Sequence, residues 1–157
     1  MPYPYSRELF DSALALCEAD PETQANLRRA LSTAYYALFH FLIEETCGNW
    51  SRPEQRGKLA RAFDHKNMLD ASSRRVKAHK NAASGSMESH LYSVADAFSR
   101  LQQKRHIADY DVSKTWSRSD VEEEILLVLD AFKSWDIVRN QQIAQDYLFS
   151  LLFRERS

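Results

Sequence analysis

Three glycines and four prolines are all that 157 residues carry of the two residue types that most readily turn a backbone. A β-sandwich or barrel needs a turn after each of many short strands, and this supply is too small for one. Alanine, leucine, arginine and glutamate, which favour helix, are abundant instead. The expected fold is all-α: an up-and-down bundle of about five helices in one domain spanning 1–157, long enough to bury a core without disulfide or metal. Cys17 and Cys47 fall within helical patterns, so neither a disulfide framework nor a zinc cluster is expected. The opening MPYPYSRELF lacks the charged and apolar regions of a secretory signal, and no run of roughly 18 apolar residues offers a membrane span. The expectation is a cytoplasmic chain with no membrane partner.

Leu9, Phe10, Ala13, Leu14 and Cys17 recur at helical spacing and predict a first amphipathic helix from Ser6 to Glu18. Asp20-Pro21 predicts the start of a second, with a carboxylate at the N-cap and proline at the first helical position. Its stripe Leu27, Leu31, Ala34, Tyr35, Leu38, Phe41, Leu42 runs toward Gly48 and, around AYYALFHFLI, widens to nearly every side, as the central helix of a bundle requires. A third helical region is expected from about Pro53 to Lys80, broken near His65 where the periodicity falters. A fourth runs from about Met87 along Leu91, Val94, Ala95, Phe98, Leu101, Arg105 and Ala108. The fifth begins at Ser119, whose spacing to Glu122 matches a capping box, and continues through Ile125, Leu129, Phe132 and Trp135, with a break near Ser134 or Asn140.

A net charge of -1 argues against a broadly basic nucleic-acid coat, but the charge is uneven. Residues 51–80 hold nine basic side chains against three acidic ones, whereas 119–157 hold eight acids against four bases. The middle of the chain is where phosphate contacts are to be sought. Glycine-rich phosphate loops, HExxH and the serine nucleophile elbow do not occur, which removes the commoner NTPase, metalloprotease and hydrolase classes.

Arg105 is the most informative position, because steps of three and four residues back from it meet Leu101, Phe98, Val94 and Leu91. An arginine on an apolar stripe snorkels at a helix end, pairs with a carboxylate, or lines a polar cleft. His40, inside ALFHFLI, reads as a hydrogen-bonded core or interface histidine in preference to a catalytic one. The tyrosines and phenylalanines from Tyr35 to Phe41 read as core in preference to a base-stacking stripe. His65, after Asp64 in the basic region, is either a surface residue or a proton-transfer group. Arg28 and Arg29 can reach phosphates, reach a carboxylate across the bundle, or lie on a solvated face.

KRHIADYD, from Lys104 to Asp111, resembles the arginine motif at the end of a late helix in HEPN domains. RRALSTAYYALFHFLIEE, from Arg28 to Glu45, resembles the long helix of that family, and RAFDH, from Arg61 to His65, a segment between the two. The resemblance implies a helical homodimer with both arginine motifs facing one cleft, RNA or a nucleotide as ligand, and metal-independent RNA cleavage without a cofactor in active members. It also implies a toxin–antitoxin or defence setting with a nucleotidyltransferase-like partner protein. Arg105 would hold the scissile phosphate, with Arg28, Arg29, Arg61, His65 and Asp109 as further candidates for nucleic-acid binding; Asp109 either orients Arg105 or caps the end of its helix. The family motif carries a histidine where Tyr110 stands, so proton transfer falls to Tyr110 or to the adjacent His106. Tyrosine, with an ordinary pKa of about 10, is a poor base at neutral pH. A non-catalytic dimerisation or partner-binding module is the alternative.

Overall fold

The computed structural model describes residues 4–154. Among them are seven helices and no strand: α1 (Tyr5–Glu18), α2 (Gln24–Gly48), α3 (Pro53–Ala60), α4 (His65–His79), α5 (Met87–Tyr110), α6 (Arg118–Val138) and α7 (Gln142–Ser150). The all-α bundle is as expected, but about five helices becomes seven because two expected helices divide. The third region stops at Ala60 and restarts at His65, where the Asp64 carboxylate accepts the Asn67 amide at 2.8 Å and so opens a new helix. The last divides after Val138, at the second of the two sites expected, and α7 resumes at Gln142.

Two expected caps lie elsewhere. α2 starts where the Thr23 hydroxyl accepts the Asn26 amide, leaving Pro21 in the preceding connection. The capping box of α6 is formed by Ser117 and Asp120, two residues before the expected pair. Between α4 and α5, Gly85 turns the chain with φ 81°, a left-handed conformation costly for other residues, and Ser86 then caps α5.

α2 is the axis. Leu27, Ala30, Leu31, Ala34, Tyr35, Ala37, Leu38 and Leu42 are fully buried, because α1, α5 and α6 all pack on it. Each buried leucine contributes about 1.5–3 kcal/mol of transfer free energy. Polar contacts fix how the helix ends meet. Ser6, at the start of α1, donates its amide and hydroxyl to Glu44 at 2.9 and 2.6 Å, so α1 runs antiparallel to α2. Glu45, near the end of α2, accepts from Trp135 Nε1 at 2.5 Å and pairs with Arg139 at 2.9 Å, bringing it to the end of α6. Arg28, near the start of α2, reaches the end of α5. The short α3 therefore carries the chain back along the bundle before α4 begins. No helix among those described is long and apolar enough to cross a membrane.

Candidate functional site

The return through α3 sets the first residue of α4, His65, against Tyr35 and Tyr36 in the middle of α2, and α5 brings Arg105 to the same tyrosines. Tyr35 connects them. Its hydroxyl lies 2.6 Å from His65 Nδ1, and its ring lies 5.0 Å from the Arg105 guanidinium carbon. His65 also stacks on Phe39, with centroids 4.4 Å apart and planes inclined by 20°. Tyr36, partly exposed, completes the enclosure: Arg105 Cζ is 5.6 Å from its ring and the His65 ring 5.8 Å away, nearly perpendicular.

Of the three alternatives its position left open, Arg105 takes the second, pairing with a carboxylate. Its side chain is only 13% exposed, pairs with Asp109 at 3.5 Å one helical turn on, and donates to Gln102 at 3.2 Å. Its Nε is buried without a hydrogen-bond partner among the described residues. An unmatched buried donor costs about 1–3 kcal/mol, and an oxyanion entering the cluster is the kind of group that would satisfy it.

The electrostatics follow from this packing. Burial lowers the His65 pKa below its ordinary value, and the Arg105 cation lowers it further, with Asp64 opposing and His40 adding a smaller decrease. His65 is therefore a neutral imidazole at pH 7, able to accept a proton. Burial drives the Tyr35 pKa upward against the pull of Arg105, so its phenol stays protonated and serves as a fixed polar partner for Nδ1. In the tautomer whose Nδ1–H donates to the Tyr35 oxygen, Nε2 is the acceptor nitrogen left for a ligand.

His40, one turn beyond Tyr36 on α2, borders the same cluster. Its ring is 6.3 Å from Tyr36, 5.3 Å from Phe39 and 5.0 Å from Tyr5. Burial lowers its pKa, while Glu44, one turn further on, opposes that shift.

The residues singled out from the sequence divide clearly. Arg105 pairs with Asp109 and shares Tyr35 as a neighbour with His65. His106 and Tyr110 are exposed and pack on each other, centroids 4.9 Å apart, on the outer side of α5. Arg28 turns to structural use: it donates to the carbonyls of Ala108 at 2.7 Å and Asp111 at 2.9 Å, and to that of Lys114, closing the end of α5. Arg29 and Arg61 are exposed, the latter at the C-cap of α3. Tyr35 is core, as the pattern suggested, but Tyr36 and His40 turn toward the cluster. The signal for them was their i, i+4 spacing on a helix whose neighbouring positions are apolar. A separate groove of about 600 Å³, between the α4–α5 connection and α6, brings together His79, Lys80, His90 and Lys133.

Neither a protein-family model, a curated protein nor a solved structure matches this chain.

Proposed function

We propose that this chain is a HEPN-like protein that binds RNA at the Arg105–His65 cluster and cleaves it there without a metal ion. The observation that carries this conclusion is the Tyr35 bridge: one phenol holds an imidazole by its hydroxyl and faces a guanidinium with its ring. Phosphodiester cleavage by an internal 2′-hydroxyl needs those two functions together, a cation on the phosphate oxygens and a base on the attacking hydroxyl. Further support comes from convergence. The three segments that resemble HEPN sequences supply Tyr35, Tyr36 and His40, then His65, then Arg105 and Asp109, to one cluster.

In this mechanism Arg105 holds a non-bridging phosphate oxygen and offsets the charge that grows as the 2′-oxygen attacks. His65 takes the proton from the 2′-hydroxyl, the role that the family resemblance offered to Tyr110 or His106. Tyr36 presents a partly exposed ring at the rim, where a base can stack. The same family reading carries a homodimer, and a nucleotidyltransferase-like partner in a toxin–antitoxin or defence module.

One observation favours a second reading. Arg105 already has Asp109, Gln102 and two tyrosine rings as partners, as it would in a non-catalytic dimerisation or partner-binding module. The two readings separate on a mixed RNA pool incubated with the purified protein in EDTA at low salt. Cleavage that falls at least about 10²-fold in Arg105→Ala, with the helical circular dichroism unchanged, is the expected result. Intact RNA with wild type, or equal cleavage by the variant, rejects the assignment.

A further inference from the structure

A single base leaves half of the proton transfer unassigned, because the departing 5′-oxygen must gain a proton as the 2′-oxygen loses one. The cluster holds a second imidazole. Phe39 adjoins both: its ring centroid is 5.3 Å from that of His40 and 4.4 Å from that of His65, which places the imidazole centroids no more than about 10 Å apart. Tyr36 spans the same interval from the rim, 6.3 Å from His40 and 5.8 Å from His65. In an in-line displacement the attacking and leaving oxygens lie on opposite sides of phosphorus. With a hydrogen bond of about 2.8 Å at each, the two nitrogens stand roughly 7–10 Å apart. The separation of the two rings admits that arrangement.

We propose that His40 is the general acid of the cleavage reaction, working opposite His65 across the phosphate that Arg105 holds. This rests on the ribonuclease reading above. The 2′-oxygen forms its bond to phosphorus and gives its proton to His65. The bond from phosphorus to the 5′-oxygen breaks, and that oxygen takes a proton from the His40 imidazolium. The products are a 2′,3′-cyclic phosphate and a 5′-hydroxyl, and proton exchange with water restores both histidines. No oxidant, metal or second substrate enters the balance.

Burial lowers both imidazoles, and their charged neighbours differ. His65 has the Arg105 cation beside it, which disfavours a second positive charge and suits a base. His40 has Glu44 one turn away, held in place by the Ser6 amide and hydroxyl, and that carboxylate opposes the lowering that burial imposes on the ring.

A leaving group that needs no proton tests the assignment. Two oligonucleotides, each with one ribonucleotide, are compared: one with the natural 5′-oxygen at the scissile bond, the other with sulfur in its place. His40→Ala and His40→Gln are expected to slow cleavage of the oxygen substrate by about 10²–10³-fold and that of the sulfur substrate by less than about 3-fold. His65→Ala is expected to slow both alike. Retained activity on the sulfur substrate also shows that the His40 variants are folded. Equal effects of the His40 variants on the two substrates, or no effect on either, overturn the assignment of His40 while the ribonuclease reading stands. Wild type inert on both substrates overturns that reading and this assignment with it.

Discussion

His65 and His40 tie the cluster to solution pH. Each imidazole is held below the ordinary value of 6.5, by burial first, then at His65 by Arg105 and His40 against Asp64, and at His40 with Glu44 opposing. Just below pH 6.5 the unfolded chain therefore binds more protons than the folded one. Stability from the neutral rings is fully present above that pH and is lost as pH falls through the lowered folded values. The urea midpoint is expected to drop between about pH 7.5 and 5.5, and to drop less in the double variant His40→Gln, His65→Gln. An unchanged pH response in that variant would assign the proton uptake to other groups. At the same scale, Tyr35→Phe removes only the hydroxyl that holds Nδ1, at an expected cost of about 0.5–1.5 kcal/mol in urea unfolding. Arg105 was legible in the sequence because an arginine among Leu91, Val94, Phe98 and Leu101 breaks the rule for an apolar face. Its partnership with His65 was not. The two residues stand on different helices, and the spacing along a chain records neighbours on one helix, not across a bundle.

α4 carries both His65 and the seat for α7. Ser72 and Tyr147 share a hydrogen bond of 2.7 Å between two fully buried side chains, and Asn67 Nδ2 donates to the Leu151 carbonyl at 2.7 Å. Ser72→Ala strands the Tyr147 hydroxyl in the core, and Tyr147→Phe strands that of Ser72. Each is expected to cost about 1–3 kcal/mol in urea unfolding, and the double variant less than the two together, since it leaves no orphan. Strict additivity would mean that the two hydroxyls do not depend on each other. Helix patterns were legible wherever one stripe persisted, as along α2 and α5. The boundaries were harder, for a stated reason: Ser117 and Ser119 each stand three residues before an acid, Asp120 and Glu122, and both satisfy the capping rule. Only packing decides between them. Arg118 donates to the Cys17 and Ala19 carbonyls, which anchors the first turn of α6 on the end of α1.

For the molecule as a whole, charge is the property that bears on its ligand. The nine basic residues of 51–80 include exposed Arg61, Lys77 and Lys80, while the chain after Ser119 is mainly acidic, so charge is unevenly distributed along the sequence despite a net charge of -1. Single-stranded RNA is expected to bind with an affinity that falls steeply with salt, log K declining by about 0.7 for each phosphate neutralised per decade of salt. A flat response between low and physiological ionic strength, measured by fluorescence anisotropy, would instead fit an apolar protein interface. The last turn of a helix normally frays, since its carbonyls have no amides to accept from. At the end of α5 the Arg28 guanidinium takes three carbonyls from Ala108 to Lys114 and sews that end to the central helix. The entropy of ordering the turn next to Arg105 is thus lost when the chain folds, so that turn is already fixed before any ligand arrives.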